Sequence, residues 1–528
     1  MTNSIGELEN ARAILVIGSN TAEQHPIIAG RILNAVRSGA SLVIYDPRRL
    51  PLSPYAEMHL AHRPGTDAAC LNAMMKVIID EKLYRSDFIR ERTEGYEELE
   101  ESLRGCTPEW ASAISGVPAD DIARSARIFA GAPDAAIVYC MGITQHVSGT
   151  DNVRALANLC MLTGNVGRPS TGLNPLRGQN NVQGACDTGC LPDVLPGYQK
   201  VADQGCREKF EMAWGSIPAP EPGLTLMEMM EAARRGEIEF MYIMGENPVL
   251  SDPNSSHARE ALDRVGFLVV QDIMDTGTTR LADAVLPAAC WAEKDGTFTS
   301  TERRVQRVRK AVDPPGDALA DGRLICMVAR ELGARGFEYD SMSEVFDEMA
   351  GLTPSYGGIS WERLGSEGIQ WPCPEPGHPG TPLLHRGAFA RGKGKFHPVE
   401  YRPPAEEPDT DYPFILMTGR LAFHYHTGTM SRSSPTLERE LDRAHLEINP
   451  ADAKGLGVED GLPVRVKSRR GEITLPVRVT AGIQEGCVFA PFHFAESPVN
   501  ELTSDFLDPE SRIPELKVCA VRLEVPDS

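Results

Sequence analysis

The stretch "NPLRGQNNVQGACDTG" (174–189) sets an arginine and several amide side chains among glycines, with little that could fill a core. Gly178 lets the main chain approach a ligand closely, and each amide offers both a donor and an acceptor. Those amides are Gln179, Asn180, Asn181 and Gln183. An isolated arginine more often caps a helix or pairs with an acid. Among neutral amides, however, the fork of Arg177 is available to a carboxylate, so the stretch predicts a loop that wraps a polar ligand.

A second cluster, "TGRLAFHYHTGTMSRSS" (418–434), combines one such arginine with two histidines and two threonines. The residues of interest are Arg420, His424, His426, Thr427 and Thr429. The two histidines, at i and i+2, share one side of an extended segment and could bind a metal ion. Because no nearby carboxylate or thiolate completes a ligand set, the cluster favours hydrogen bonding to a cofactor, and we predict no metal-ligating residue.

The third candidate is the turn "RPGTDAACLNA" (63–73), in which Gly65, Thr66 and Asp67 precede a predicted helix. This pattern is typical of a helix N-cap. An aspartate in such a turn also accepts paired hydrogen bonds from the edge of a guanine base. Both interpretations stay open at this point.

The sequence lacks the motifs of several other kinds of chemistry. There is no P-loop, no legible Ser-His-Asp order and no cluster-type cysteine run. The twelve cysteines are scattered, and Cys186 and Cys190 come closest to a motif. Unpaired thiols of this kind are typical of a reducing compartment. With no apolar run long enough to span a bilayer and no signal pattern in "MTNSIGELEN", the chain is expected to be cytoplasmic.

The net charge of −21 and the pI near 5.1 narrow the range of partners. Such a balance repels phosphate backbones and anionic lipid, so nucleic acid and membrane surfaces are poor candidates. A small anion in a locally basic pocket remains compatible with it.

The elements that must position these groups appear as apolar runs that end abruptly in small or polar residues. They are "AILVIGSN" (13–20), "SLVIYDPRR" (41–49), "AAIVYCMGITQ" (135–145), "EFMYIMGENP" (239–248) and "GFLVVQDIMD" (266–275). Such runs are typical of buried parallel strands, and open parallel sheets bind ligands at the carboxyl ends of their strands. No Gly-x-Gly-x-x-Gly follows any of them, so the usual NAD fingerprint is missing. The polar residues that would project into the crevice are Asn20, Asp46, Arg48, Gln145, Glu246, Gln271 and Asp272.

After residue 300 the sequence pattern differs from that of the first 300 residues. The segment 301–405 gives a mixed signal, and "WPCPEPGHPGTPLLHRG" (371–387) is typical of a surface connection. The stretch "LPVRVKSRRGEITLPVRV" (462–479) alternates apolar and polar residues around an Arg-Gly turn, as a hairpin does. We therefore predict a mainly β C-terminal domain, most simply a small barrel.

Taken in this order, the motifs resemble the catalytic subunit of formate dehydrogenases of the molybdopterin oxidoreductase superfamily. The resemblance covers nearly the whole chain and is most specific in "NPLRGQNNVQGACDTGCLPDVLPGYQ" (174–199). It continues in "MGITQHVSGTDNVRALANLCMLTGNVG", "YIMGENP", "VVQDIMDT" and "LPAACWAEKDGTFTSTERRVQ". Related nitrate reductases share the general architecture, but the Arg-Gly-Gln-Asn-Asn run favours formate.

The resemblance implies an α/β fold with two Rossmann-like, doubly wound domains around a bis-pterin cofactor and a C-terminal β-barrel. In these terms, residues 1–179 form a Rossmann-like pterin-dinucleotide-binding domain. Residues 180–300 belong to a second Rossmann-like domain, part of which is expected to lie on a preceding segment. Residues 301–405 are a connecting α/β segment, and residues 406–528 form the barrel that binds molybdopterin dinucleotide.

The resemblance also implies two pterin guanine dinucleotides that hold one molybdenum or tungsten ion through four dithiolene sulfurs. Arg177 would orient the formate carboxylate. The positions that match cofactor contacts of the family are Asn20, Asp46, Arg48, Gly65, Asp67, Met141, Gln145, Gly178, Gln179, Gly245, Glu246, Gln271, Asp272, Arg420, His424, Thr427, Asn500 and Lys517.

Family members begin with a four-cysteine iron–sulfur site, followed by a Cys or selenocysteine that ligates the metal. This sequence opens downstream of that pattern, so we expect the 4Fe-4S cluster and the metal ligand to lie on a preceding segment or subunit. An electron-transfer subunit is the other expected partner, and this chain alone is expected to be inactive. Two alternatives stay open: a non-catalytic pterin-binding scaffold, and an enzyme of the same superfamily that acts on nitrate or another oxyanion.

Overall fold

The computed structural model describes residues 1–526 of the chain. They group into two compact units. The first unit comprises residues 1–178, 250–255 and 383–526, and the second comprises residues 179–249 and 256–382.

The N-terminal part of the first unit is built on a five-stranded sheet. Its strands are β1 (Ala13–Ile17), β2 (Ser41–Tyr45), β3 (Met58–Leu60), β5 (Ala135–Tyr139) and β6 (Gly172–Pro175). The short strand β4 (Thr93–Glu94) lies in the same stretch of the chain but outside this sheet. The helices are α1 (Thr21–Gln24), α2 (Pro26–Arg37), α3 (Asp67–Asp80), α4 (Ser86–Arg92), α5 (Tyr96–Ser102), α6 (Pro108–Ser115), α7 (Ala119–Gly131), α8 (Met141–Thr144) and α9 (Gly149–Leu162). The order in the sheet is β3-β2-β1-β5-β6, and every pairing is parallel.

Both faces of this sheet are covered. Along β1, Leu15 and Ile17 pack into one hydrophobic core with residues of α3, α7 and α9. Ile14 and Val16 point to the other face and pack with Ile32 of α2. The strand order reverses between β1 and β5, and that reversal makes their carboxyl ends the topological switch point at which such sheets bind ligands.

The second unit contains three smaller sheets. Its strands are β7 (Val194–Leu195), β8 (Gln199–Lys200), β9 (Met241–Met244), β10 (Leu268–Asp272), β11 (Ala284–Pro287), β12 (Gly296–Thr299), β13 (Arg304–Val308) and β14 (Ile369–Gln370). Strands β11-β10-β9 form a parallel sheet, β12-β13-β14 an antiparallel one, and β7 pairs with β8. The helices in this stretch of the chain are α10 (Val182–Asp187), α11 (Gln204–Trp214), α12 (Leu226–Arg234), α13 (Pro248–Ser251), α14 (Ser255–Asp263), α15 (Asp321–Glu331) and α16 (Met342–Leu352).

The C-terminal part of the first unit closes into a barrel. Its strands follow β15 (Gly394–Lys395) and are β16 (Phe414–Gly419), β17 (Leu446–Ile448), β18 (Pro463–Lys467), β19 (Glu472–Val479), β20 (Cys487–Pro491) and β21 (Cys519–Glu524), with the helices α17 (Pro435–Glu440) and α18 (Pro450–Leu456). The closed order is β16-β20-β17-β19-β18-β21. Val464 and Val466 alternate into the barrel core, and β18 pairs with β19 antiparallel as the hairpin pattern predicts.

Short 3-10 helices complete the described elements, at Ile5–Asn10, Ser53–Tyr55, Thr279–Leu281, Trp291–Glu293, Pro354–Tyr356, Glu362–Leu364, Ser431–Ser433 and Val499–Glu501. The predicted fold class, α/β with a C-terminal barrel, is confirmed. The four domain boundaries stay predictions. Within residues 1–526, no helix combines the length and the apolar character needed to cross a bilayer.

Candidate functional site

The candidate site in the first unit lies at the carboxyl ends of β1 and β5, where the main chains of Gly18 and Gly142 are in close contact. Gly18 has a φ of +56°, and a Cβ atom there would lie 2.5 Å from the main-chain nitrogen of Ile143. A Cβ atom on Gly142 would lie 2.5 Å from the carbonyl oxygen of Gly18, which accepts a hydrogen bond from Gly142 N at 3.0 Å. Only glycine permits this approach, which joins the segments that follow the two strands.

The segment after β1 carries an unusual set of buried polar atoms. Asn20 Oδ1, Glu23 Oε2, Gln24 Nε2 and His25 Nδ1 are buried and have no hydrogen-bond partner among the described residues. Leaving such an atom unsatisfied costs about 1–3 kcal/mol, so the cluster on Asn20, Glu23 and Gln24 indicates a ligand with both donors and acceptors. The edge of a pterin ring has this mixture. From this segment the sequence analysis predicted only Asn20. Glu23, Gln24 and His25 also follow β1, so applying the strand-end rule to the whole segment would have identified them as well.

Opposite this segment, the predicted substrate loop leaves β6. Three successive carbonyl oxygens of the loop, on residues 176–178, each accept a hydrogen bond from a side chain of the first unit. The bonds run from Cys140 Sγ to Leu176 O (3.1 Å), from His25 Nε2 to Arg177 O (2.7 Å) and from Arg420 Nη1 to Gly178 O (3.0 Å). The main chain of Arg177 is therefore held firmly at the switch point.

Predicted contacts on the neighbouring strand end meet the same loop. Met141 begins α8, directly after β5, and its Sδ would lie 3.2 Å from a Cβ atom on Gly178. Gln145 follows α8, and its main-chain nitrogen donates to Met141 O at 3.1 Å. The structure thus brings Met141 to the Arg177–Gly178 pair, and Asn20 follows the neighbouring strand β1.

Two partly buried cations, Arg420 and Lys517, lie near this loop. Burial, together with the charge of the nearby Arg420, lowers the pKa of Lys517 to about 8. Burial likewise lowers the pKa of Arg420. Lys517 Nζ donates to Thr418 O at 2.8 Å. Because desolvation disfavours both charges and a nearby anion would favour them, the pair suits a phosphate or diphosphate group.

Asp46 and Arg48, which follow β2, have different surroundings. Asp46 Oδ1 accepts a hydrogen bond from Arg48 N at 3.0 Å, and burial raises the pKa of Asp46 to about 6. The Arg48 guanidinium forms a bidentate pair with Glu447 of β17, with N–O distances of 2.9–3.0 Å. It also lies 3.5 Å from the centroid of the Phe489 ring. These bonds join the sheet to the barrel, and the cofactor contacts of both residues stay predictions.

Asp67 is the first residue of α3 and is almost completely buried, with 2% of its surface exposed. Its Oδ1 lies 3.1 Å from His62 Nε2. Burial favours the neutral acid, but the charge and hydrogen bond of His62 outweigh it and hold the pKa of Asp67 below its usual value. Gly65 takes a φ of +81° in the turn before it, where a Cβ atom would meet the ring of Pro404. Asp67 is thus an ionised carboxylate, as its predicted guanine contact requires.

The histidine cluster of the barrel is organised by a residue that the sequence analysis missed. His493 is fully buried; its Nε2 accepts from Leu421 N at 2.8 Å and its Nδ1 donates to His426 O at 2.6 Å. Burial lowers its pKa to about 4, so it is neutral. The ring of His424 bonds to Ser431 Oγ and Leu441 O.

Two predicted contacts of the first unit, Thr427 and Asn500, have hydrogen bonds within the protein. Thr427 Oγ1 lies 3.1 Å from Thr429 Oγ1. Asn500 Nδ2 donates to Leu250 O and Ser251 O, at 3.1 and 3.0 Å. Among residues 1–526, no group of three or more His, Cys, Asp or Glu side chains is arranged to hold a metal ion.

The remaining predicted residues belong to the second unit, at the carboxyl ends of β9 and β10. Gly245, with a φ of +63°, donates its main-chain N–H to Gln271 O at 2.8 Å. Gln271 is fully buried and its amide bonds to Tyr242 and to Asp321. Burial raises the pKa of Asp272, which accepts from Met274 N. Gln179 begins this unit, and Glu246 directly follows Gly245.

Comparison with known proteins identifies the class to which this arrangement belongs. Residues 1–331 match the model of the molybdopterin oxidoreductase family, and residues 414–520 match that of the molydopterin dinucleotide binding domain. The chain belongs to the molybdopterin oxidoreductase family, and its cofactor is a pterin that carries molybdenum or tungsten.

Individual relatives are similar over almost the whole chain. It is 53% identical to the F420-dependent formate dehydrogenase subunit alpha of Methanocaldococcus jannaschii, over 99% of this chain and 78% of the relative. It is 40% identical to formate dehydrogenase H of Escherichia coli, over 99% of this chain and 74% of the relative. Among solved structures, acetylene hydratase from Pelobacter acetylenicus matches with a TM-score of 0.76 at 19% identity, covering 98% of this chain and 80% of that one, which shows a common fold.

Proposed function

We propose that this chain is the catalytic subunit of a formate dehydrogenase, which oxidises formate to CO2 and releases one proton and two electrons. The observation that carries the proposal is Arg177, whose main chain is held at the switch point beside the partly buried cations Arg420 and Lys517. Relatives that are 40–53% identical over 99% of the chain and are named formate dehydrogenases support it.

We propose that the cofactor is a pair of molybdopterin guanine dinucleotides with one molybdenum or tungsten ion. The buried polar atoms of Asn20, Glu23 and Gln24 would face a pterin, Arg420 and Lys517 a diphosphate, and Asp67 a guanine. When bound, the metal–pterin group accepts the two electrons of formate. The donors and acceptors present here suit such a ligand, since they include neutral amides, partly buried cations and an ionised carboxylate.

In this proposal Arg177 binds the formate carboxylate through two parallel charge-assisted hydrogen bonds. Those bonds fix the carboxylate plane and so direct the C–H bond of formate to one side. Gly178 lets the loop pass close to Met141 without a side chain in between. The chain's own contribution is therefore the orientation of the substrate and the neutralisation of its charge.

We further propose that the electrons leave through a 4Fe-4S cluster on a preceding segment or partner subunit, and then through an electron-transfer subunit to coenzyme F420. The family resemblance implies the cluster and the subunit. The acceptor is suggested by three relatives at 47–53% identity that are named F420-dependent.

The test is to produce the complete enzyme, with the products of neighbouring genes, in a host that makes the cofactor. We expect formate to reduce an artificial dye and F420, with one CO2 released for each pair of electrons. Oxidation of a reduced dye by nitrate, without formate turnover, would instead indicate the reaction named for a 37% identical relative from Bacillus subtilis. Full pterin occupancy without either reaction would indicate a scaffold.

A further inference from the structure

His25 occupies a defined place between two helices at the switch point. It is both the C-cap of α1 and the N-cap of α2, so the helices on either side restrict its main chain. Its Nε2 lies 2.7 Å from the carbonyl oxygen of Arg177, 152 residues away in the sequence. A carbonyl oxygen only accepts, so Nε2 carries the proton and donates it.

The contact has consequences for the side chain of Arg177. A main-chain carbonyl and the Cα–Cβ bond of the same residue are joined through one tetrahedral carbon. Holding the carbonyl therefore restricts the direction in which the long, flexible side chain leaves the loop. A reacting group displaced by about 1 Å loses up to about a hundredfold in rate, so such a restraint bears directly on catalysis.

We infer that His25 is a positioning residue for Arg177, which sets the direction of the arginine fork without touching the substrate. The inference rests on the proposed role of Arg177 in binding formate. The bonds from Cys140 Sγ and Arg420 to the flanking carbonyls hold the loop on either side, whereas His25 acts on Arg177 itself. Burial lowers the pKa of His25, so a neutral ring that donates from Nε2 is its form at neutral pH.

The experiment compares two substitutions of equal length in the complete enzyme. His25→Gln keeps an N–H donor that reaches the carbonyl, and His25→Met removes it. The matched control is Asn72→Leu, which removes another buried side-chain donor to a carbonyl of the first unit, from Asn72 Nδ2 to Val399 O (2.8 Å). If His25→Met does not fold, His25→Phe keeps the ring without the donor.

Three quantities are measured on each variant: kcat and KM for formate, metal and pterin content, and amide hydrogen exchange of peptides covering residues 174–181. Loss of one hydrogen bond predicts roughly a 3- to 10-fold fall in kcat/KM for His25→Met, and a similar rise in exchange. Pterin content should stay at the wild-type level. His25→Gln should recover most of both effects, and Asn72→Leu should show neither.

Equal exchange and equal kinetics in His25→Met and Asn72→Leu would overturn the inference. So would loss of pterin from His25→Met without a change in exchange, which would make the residue a cofactor contact. Absence of formate turnover in the wild-type enzyme would refute the proposed function instead. The exchange comparison would still decide whether His25 holds the loop.

Discussion

Replacement of Asp46 by asparagine should stabilise the protein at high pH and much less at low pH. Burial raises the pKa of this carboxyl from 3.8 to about 6 in the folded chain. The stability that Asp46 contributes as a neutral acid is complete below about pH 4 and is lost as the pH rises through 6. One pKa unit corresponds to about 1.4 kcal/mol, so the charged form destabilises the fold by up to about 3 kcal/mol at pH 8. At pH 5 this destabilisation is about half as large as at pH 8.

Asparagine keeps the oxygen that accepts from Arg48 N and removes only the charge. We therefore expect the Tm of Asp46→Asn to exceed that of the wild type at pH 8 by on the order of 5 °C, and by clearly less at pH 5. Thermal unfolding at a series of pH values measures this difference, and Asp411→Asn, which removes an exposed carboxylate, controls for net charge. A Tm difference that does not change between pH 5 and pH 8 would show that Asp46 is not a buried acid with a raised pKa.

Three further substitutions test the site. Arg177→Lys keeps the charge but loses the planar fork, so kcat/KM for formate should fall roughly tenfold to more than a hundredfold at unchanged cofactor content; wild-type kinetics would remove Arg177 from the mechanism. Asp67→Ala should lower pterin occupancy but leave the rate per occupied site unchanged. Full occupancy would indicate that Asp67 serves only to pair with the buried His62. Gly142→Ala would place a Cβ atom 2.5 Å from a carbonyl oxygen, so it should cost about 1–3 kcal/mol. Gly30→Ala is its control, because no atom lies within 4 Å of the new Cβ. Equal Tm values for the two variants would contradict the close contact between Gly18 and Gly142.

Much of the framework could be predicted from local patterns. The apolar runs at 13–20, 41–49 and 135–145 became β1, β2 and β5, because a buried strand needs only a short apolar segment bounded by turns. The alternation at 462–479 became the pair β18 and β19. The strand-end rule predicted Asn20 and the loop chemistry predicted Arg177, and the roles of both residues stay predictions.

Residues whose role depends on a distant partner were not predictable in this way. His25 and His493 look ordinary in sequence, and their hydrogen bonds reach main-chain atoms 152 and 67–72 residues away. Arg48 illustrates the converse. It follows a strand as a ligand contact should, yet Glu447, 399 residues along the chain, pairs with its guanidinium.

The sequence by itself determined the α/β class, the strand ends at which polar groups collect and the loop that carries the arginine, since each depends on residues close together in the chain. Only the tertiary structure decided that Gly18 and Gly142 cross at one switch point and that three side chains hold the carbonyls of residues 176–178. It also decided the charge states, because the pKa values of Asp46 and Lys517 are shifted by burial. Hydrogen-bond partners and desolvation are properties of neighbours in space, and the order of strands in the packed sheet brings those neighbours together.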